Sequence, residues 1–310
     1  MLQPILLSIA GLVLLAIGGE LLVRGSVGIA RKLNVSNLFT GLVIVGAATS
    51  MPEMVASVEA ALLGSSELAW GNVVGSNISN TLLILGVSAL VMPIVLTGAG
   101  KRDAVIALVA SLVLWAITAA QVGSVWVGVV LLAGIVAYVY WRYFHPRPSE
   151  LAGADEEEEA VLAIHWAALA FLGGLVLLVG GGNLLVTGAI DIARLFNISE
   201  TVIGLTIVAI GTSLPELAAS VAAALRGKPG LALGNVLGSN IYNILLIGGV
   251  TMMVAPVPVP ASLLDYQLVL LAASALALLV LLATAKQIGR VVGAGLVMIF
   301  AVNAAMALSA

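Results

Sequence analysis

Two glutamates lie within hydrophobic segments of nearly identical sequence, and each follows a pair of hydroxyl side chains. Glu53 lies in VGAATSMPEM, and Glu216 lies in AIGTSLPEL, 163 residues further along the chain. Both segments are apolar enough to enter a bilayer, where an ionisable residue is costly and marks an ion or substrate pathway by default. Two such residues in duplicated surroundings predict one cation site to which both halves of the chain contribute.

The spacing around each glutamate brings further oxygen atoms towards it. Thr49 and Ser50 precede Glu53 by four and three residues, which places all three on one face of a helix. Pro52 has no N–H, so the carbonyl of Ala48 loses its helical donor. The second segment repeats the pattern with Thr212, Ser213, Pro215 and Glu216. Unpaired backbone at membrane depth is tolerated only where it lines a cavity or is buried in protein, so we expect a broken helix at each site.

A second duplicated motif supplies more polar groups. It reads GNVVGSNISN at residues 71–80 and GNVLGSNIYN at residues 234–243. Its glycines permit close packing of helices. We expect Ser76, Asn80, Ser239 and Asn243 to lie beside the ion. For Asn72, Asn77, Asn235 and Asn240, hydrogen bonds that merely join helices are an equally good explanation.

These ligand types indicate a hard cation. Calcium takes six to eight oxygen ligands, whereas the chain has no cysteine, and both histidines lie outside these segments, so a soft-metal site is disfavoured. Two ionised glutamates balance one divalent cation. An empty pair of carboxylates would repel itself and take up protons or monovalent cations. This favours an exchanger over a channel.

Composition requires these motifs to be positioned by membrane helices. Hydrophobic residues make up 62% of the 310 residues and charged residues only 9%, against about 25% charged in soluble domains. The mean hydropathy is +1.21. We predict an all-α polytopic membrane protein of ten transmembrane helices, in windows 3–23, 37–63, 70–96, 103–120, 124–144, 161–187, 200–225, 231–255, 265–285 and 290–309.

An internal repeat organises these windows. Residues 11–94 align without a gap on residues 174–257, with more than half of the positions identical. The predicted domains are a first five-helix repeat (1–144), an acidic linker (145–160) and a second five-helix repeat (161–310). Because five is odd, the second repeat is predicted to be inverted, as in many secondary transporters.

The positive charges agree with this topology. Ten spans place every Lys and Arg except Arg194 on one side, which the positive-inside rule makes cytoplasmic. We therefore expect a multi-pass protein of the cell membrane with both termini outside. The linker, which contains DEEEE, is expected to be cytoplasmic, either as a solvated connection or as a regulatory cation-binding loop.

Together these features resemble the calcium/cation antiporter superfamily, and most closely its prokaryotic sodium/calcium exchangers. The resemblance rests on two G-x-T-S-x-P-E-like segments, each followed by G-N-x-x-G-S-N, and covers nearly the whole chain. It implies four central ion sites, across which the first helix of each half slides. Glu53 and Glu216 would be the calcium ligands, joined by the backbone carbonyls of Thr49 and Thr212. Flanking sodium sites would use Ser50, Ser76, Ser213 and Ser239 with the carbonyls of Gly46 and Ala209, and Asn80 and Asn243 would line the middle.

Two positions depart from the family pattern. Ala48 replaces the usual glycine of the first motif, which stiffens one half. Asn243 stands where some members, including the potassium-dependent branch, have aspartate. The asparagine argues against potassium cotransport and leaves two carboxylates in the site.

The leading functional hypothesis is therefore exchange of sodium for calcium, and the alternative is a proton-coupled exchanger that uses the same carboxylates. Other divalent cations remain possible cargo. A channel and a membrane-embedded enzyme are the other classes considered. The spans contain no HExxH motif and no Ser/His pair, so we do not expect an enzyme. The expected partners are the transported ions and the lipid bilayer; no cofactor, nucleic acid or obligate protein partner is predicted.

Overall fold

The computed structural model describes residues 2–96, 98–145, 162–196 and 209–309, and these residues are predominantly helical. All but one residue of the predicted linker lies outside this described part of the chain. The helices are α1 (Leu2–Leu33), α2 (Asn37–Thr49), α3 (Met51–Leu62), α4 (Ser66–Val91), α5 (Lys101–Ala119), α6 (Val125–Phe144), α7 (Ile164–Leu195), α8 (Leu214–Leu225), α9 (Pro229–Val254), α10 (Gln267–Thr284) and α11 (Arg290–Ser309).

Seven of the described helices are long and apolar enough to cross a membrane. An eighth span is obtained if α2 and α3 are counted together, since they are bent by 42° at Ser50. Shorter apolar helices cover Leu214–Leu225 and Arg290–Met306. The count of ten spans and the inverted repeat stay predictions. The first and sixth windows were too short, because α1 and α7 each contain 32 residues.

Helices α1 and α7 cross in close contact through glycines that recur every seventh residue. A Cβ atom at Gly18 would lie 2.8 Å from the Leu178 nitrogen, and one at Gly25 would lie 2.4 Å from the Phe171 nitrogen. In the opposite direction, a Cβ at Gly174 would lie 2.4 Å from the Leu22 nitrogen. Such distances are below any real contact, so only glycine permits this approach of two backbones.

A second close contact joins helices from the two halves of the chain. Helix α2 packs against α9, where a Cβ at Gly234 would lie 2.5 Å from the Leu38 carbonyl oxygen and one at Gly238 would lie 2.3 Å from that of Leu42. Gly234 and Gly238 therefore permit the close helix packing that the sequence predicts for this motif. At Gly71 and Gly75, no described atom outside their own helix lies within 4 Å of a Cβ position, and the repeat counterparts of Leu38 and Leu42 lie outside the described residues.

Among the described residues, three helices contain a π-helical segment: Thr40–Val45 in α2, Asn80–Ile84 in α4 and Asn243–Ile247 in α9. Such segments are rare and often occur at functional sites. The segment Asn80–Ile84 packs against α8 of the second half, and the segment Asn243–Ile247 packs against α3 of the first half. Each of these π-helical segments therefore contacts the helix that carries the other half's glutamate.

Contacts between connections hold the ends of the helices. The two-residue strands β1 (Ile94–Val95) and β2 (Gln287–Ile288) pair antiparallel and join the connections before α5 and α11. At the start of α5, the Asp103 Oδ1 atom accepts hydrogen bonds of 2.9 Å from the Tyr138 hydroxyl and from Arg142 Nε, both on α6. Asp103 and Arg142 are buried, and this pair fixes the hairpin of α5 and α6.

Candidate cation site

The two glutamates lie buried at the starts of α3 and α8, directly after the break in each polar segment. Only 2% of each side chain is exposed. In both helices a serine precedes the first residue and a proline occupies the first turn, so the chain turns just before the glutamate. The carboxyl of Glu216 lies within electrostatic range of Glu53 and close to Thr49 and Ser50. The structure therefore brings together the two acids that the repeat predicts.

Hydrogen bonds across the halves define the centre of the site. The Ser213 hydroxyl donates to Glu53 Oε1 at 3.4 Å. The Thr49 hydroxyl lies 3.0 Å from the Val45 carbonyl oxygen and 3.2 Å from Asn235 Oδ1. Glu53 and Thr49 of the first half thus contact Ser213 and Asn235 of the second half. Two independent sites would not require such contacts.

Seven buried side-chain oxygens of the predicted site have no hydrogen-bond partner among the described residues. They are Ser50 Oγ, Glu53 Oε2, Thr212 Oγ1, both carboxylate oxygens of Glu216, Ser239 Oγ and Asn243 Oδ1. Buried polar atoms without partners are rare in proteins because each costs free energy. Carboxylate, hydroxyl and amide oxygens that are left without partners match the ligand preference of calcium or sodium. The described residues contain no cluster of three or more His, Cys, Asp or Glu, so the two carboxylates would be the charged ligands.

The remaining predicted residues are distributed around this centre. Ser76 and Asn80 are buried in α4, and Asn80 begins the π-helical segment that contacts α8. Gly46 lies against the second half, where a Cβ would be 3.0 Å from the Ser239 nitrogen. Ala209 lies in a short helical turn, Ala209–Gly211, and nothing is concluded about its side chain.

Two asparagines that the sequence left ambiguous hold the glutamate helices in place. Asn72 donates to the carbonyl oxygen of Glu53 at 3.2 Å and to the Ser57 hydroxyl at 2.8 Å. Asn235 makes the equivalent bonds to Glu216 at 3.2 Å and to Ser220 at 2.9 Å. The sequence reasoning missed the two serines, although each follows its glutamate by four residues in both copies of the repeat. That duplicated spacing is the signal that would have found them.

A cavity of about 160 Å³ adjoins the break in the second half. Its walls come from α7 and from both polar segments, and it reaches Thr212, whose hydroxyl is one of the unpartnered oxygens. The lining residues are Pro52, Val179, Gly182, Asn183, Val186, Gly211, Thr212 and Pro215. This cavity gives the candidate site a passage on the side of Asn183.

A polytopic helical protein with a buried, oxygen-lined site and an adjoining passage is a membrane transporter for cations. The model of the sodium/calcium exchanger protein family matches residues 3–144 and 166–309. The chain is 39% identical over 309 residues to the proposed antiporter CaxA of Alkalimonas amylolytica, covering 97% of both chains. It is 32% identical to the sodium/calcium exchanger MaX1 of Methanosarcina acetivorans, covering 95% of both chains. The protein belongs to the sodium/calcium exchanger family.

A solved structure has the same fold. The sodium–calcium exchanger NCX_Mj, from crystals soaked with sodium and strontium, superposes with a TM-score of 0.83 at 33% identity. The superposition covers 97% of this chain and 98% of that one. The family is one of transporters, which confirms that the chain is not an enzyme, and its members exchange cations across membranes.

Proposed function

We propose that this protein exchanges sodium for calcium by alternating access at one site formed by Glu53 and Glu216. The observation that carries the proposal is the convergence of buried, donor-free oxygens from both halves around these two acids. Two carboxylates neutralise one calcium ion, and the empty pair is unfavourable at this depth. The site therefore moves between the two sides of the membrane most readily when it is occupied.

The other oxygens of the site bind either calcium or sodium. In this proposal the backbone carbonyls of Thr49 and Thr212 complete the calcium site, and Asn80 and Asn243 line its centre. Sodium is bound on the flanks by the hydroxyls of Ser50, Ser76, Ser213 and Ser239, with the carbonyls of Gly46 and Ala209. The hydroxyls of Ser50 and Ser239 have no hydrogen-bond partner among the described residues. Such hydroxyls favour sodium as the coupling ion, because a proton held by a carboxylate needs no cage of hydroxyl ligands. Asn243 leaves no third carboxylate for potassium.

The proposed topology is two inverted five-helix repeats, residues 1–144 and 161–310, joined by a cytoplasmic linker. Contacts between connections support it. Strands β1 and β2 join two connections that ten spans place on the cytoplasmic side. The Gln121 side chain donates to the Val259 carbonyl at 3.2 Å, which joins two connections placed on the outer side. The protein would thus lie in the cell membrane with both termini outside.

Gradient-driven uptake into proteoliposomes tests the coupling. Calcium uptake is measured with sodium inside and none outside, at equal and buffered pH on both sides. We expect uptake that stops when the sodium gradient is abolished. Uptake that follows a pH gradient in the absence of sodium would instead establish the proton-coupled alternative, and flux without counter-transport would establish a channel.

A further inference from the structure

The passage on the side of Asn183 has a counterpart elsewhere in the chain. Each residue that lines the cavity has a repeat equivalent 163 positions away, and Pro52 and Pro215 are equivalents of each other. The counterpart passage would be lined by the same two prolines with Ala16, Gly19, Glu20, Val23, Ala48 and Thr49. The two passages therefore allow a comparison of equivalent positions on opposite sides of one site.

The counterpart passage is closed by direct packing of helices. A Cβ at Gly19 of α1 would lie 3.0 Å from the carbonyl oxygen of Ala218 and 3.0 Å from the Cβ of Ala222, both on α8. At the equivalent Gly182 of α7, the nearest atom to such a Cβ is 3.7 Å away, on Leu214. Val23 has no exposed surface, whereas its equivalent Val186 is partly exposed. The structure thus packs α1 closely on α8 at Gly19, whereas a cavity lies beside α7 at Gly182; we call the first the closed passage and the second the open passage.

An ion pair lies across the closed passage. Arg226, which follows α8, donates from Nε to Glu20 Oε2 at 2.7 Å and from Nη2 to Glu20 Oε1 at 2.6 Å. This two-point geometry is the strongest form of an arginine–carboxylate pair. The Arg226 side chain is only 18% exposed, so solvent screens the pair less than at an open surface. Arg24 also donates to Glu20 at 2.7 Å, but that bond stays within α1.

The open passage lacks the residues that would form such a pair. The repeat equivalent of Glu20 is Asn183, and the equivalent of Arg226 is Leu63, which is exposed. Where the closed passage packs Gly19 against Ala222, the open passage would have to pack Gly182 against Glu59. Closing it would therefore gain no ion pair and would remove water from a carboxylate, which is unfavourable.

We propose that Glu20 and Arg226 form a one-sided latch that keeps their passage closed in the unloaded protein. The inference rests on the proposed alternating-access function. Opening the latched side requires the pair to separate, whereas closing the Asn183 side forms no equivalent bond. The latch thus makes the state with the Asn183 passage open the resting state, and by the predicted topology that passage faces the outside. Ion binding at the glutamates must then supply the free energy that separates the pair.

Thiol labelling tests the latch, because the chain has no cysteine of its own. Single reporters, Val23→Cys and Val186→Cys, are labelled with a water-soluble thiol reagent in the full-length protein without sodium or calcium. In the parent chain we expect slow labelling at position 23 and fast labelling at position 186. Glu20→Gln or Arg226→Gln should raise the rate at position 23 by about tenfold, the loss of a strong charged pair, and lower the rate at position 186.

Two further variants distinguish a latch from a general loss of structure. Arg24→Gln is the matched control, since it removes a bond to the same carboxylate that does not join two helices, and it should leave both rates unchanged. Exchange of the charges, Glu20→Arg with Arg226→Glu, should restore slow labelling at position 23. Unchanged rates in both single variants would overturn the proposal, and so would an equal effect of Arg24→Gln or a charge exchange that does not restore protection.

The converse experiment transfers the pair to the other passage. Asn183→Glu combined with Leu63→Arg should slow labelling at position 186, and no change there would count against the latch. Because these measurements use no transported ion, they do not depend on which cation drives exchange. Failure of sodium-driven uptake would overturn the proposed coupling without affecting the labelling result. Unchanged labelling rates in the variants would overturn the latch without affecting the proposed coupling.

Discussion

The polar positions at the centre of the protein are duplicated, whereas those at its two entrances are not. Glu53 and Glu216 occupy equivalent positions, and the side-chain amides of Asn72 and Asn235 donate equivalent bonds to the helices that carry them. At the entrances, Glu20 aligns with Asn183 in the repeat, and Leu63 aligns with Arg226. In the proposed function, the residues that are identical in the two halves bind the ion. The residues that differ decide which side of the site is open.

The largest expected effect comes from the duplicated acids. Glu53→Gln and Glu216→Gln each keep the shape of the side chain but remove half of the site's negative charge. Because calcium affinity depends strongly on the number of charged ligands, we expect each variant to lose at least about 100-fold in calcium transport. Calcium uptake into proteoliposomes measures this, with the exposed Glu67→Gln as the control. Near-normal calcium transport by either variant would show that its glutamate is not a ligand in a shared calcium site.

The next effect concerns the duplicated glycines between α1 and α7. Gly25→Ala places a Cβ 2.4 Å from the Phe171 nitrogen, and the helices must separate to accommodate it. We expect a loss of about 1–3 kcal/mol in stability, which is typical of overpacking, and a lower Tm in detergent. The control is Gly180→Ala in α7, where no described atom lies within 4 Å. Equal melting temperatures for the two variants would show that this glycine contact does not stabilise the pair of helices.

A smaller effect is expected at the asparagines that position the glutamates. Asn72→Ala and Asn235→Ala each release one glutamate backbone and one serine, so calcium affinity should fall by about tenfold, as for other residues that orient a ligand. Asn235→Ala also removes the 3.2 Å contact with the Thr49 hydroxyl, so its effect should be at least as large as that of Asn72→Ala. Asn77→Ala, which removes a bond to the Val73 carbonyl on the same helix, is the control. Calcium titration by calorimetry gives the affinities, and a large effect in only one variant would show that the halves are not equivalent.

The smallest effect is expected at Glu59, a position where the entrances differ. Glu59→Ala reproduces the Ala222 of the closed passage and removes the need to desolvate a carboxylate there. We expect labelling at the Val186→Cys reporter to slow by about two- to fivefold, because an exposed carboxylate contributes little free energy. Glu67→Ala, at another exposed acid in the first turn of α4, should leave the rate unchanged. Faster labelling in Glu59→Ala would contradict the assigned role of this residue.

Much of the candidate site can be predicted from the sequence, because its residues lie in segments that are duplicated in the two halves. The repeat alone pairs Glu53 with Glu216 and brings their hydroxyl neighbours into the same site. The breaks follow from Ser50 and Ser213 beside a proline, and the ordinary helices follow from apolar length. The ten spans, the inverted repeat and the linker remain predictions, since several of the residues concerned lie outside the described part of the chain.

The entrances could not be predicted in the same way. Glu20 and Arg24 lie four residues apart on one helix, a spacing that favours an ion pair, and that bond does form. The stronger pair of Glu20 with Arg226 joins residues 206 positions apart and depends on how α1 crosses α8. The buried pair of Asp103 and Arg142 was missed for the same reason. No local pattern encodes such contacts, and neither has a duplicate in the other half that would draw attention to it.

The most direct test of the central claim is anomalous diffraction from crystals that contain calcium or strontium. One divalent ion bound by both halves predicts a single strong peak between α3 and α8. Carboxylate oxygens of both Glu53 and Glu216 should lie about 2.3–2.6 Å from it for calcium. A peak that contacts only one glutamate, or a strong peak elsewhere with none between the two acids, would contradict the shared site.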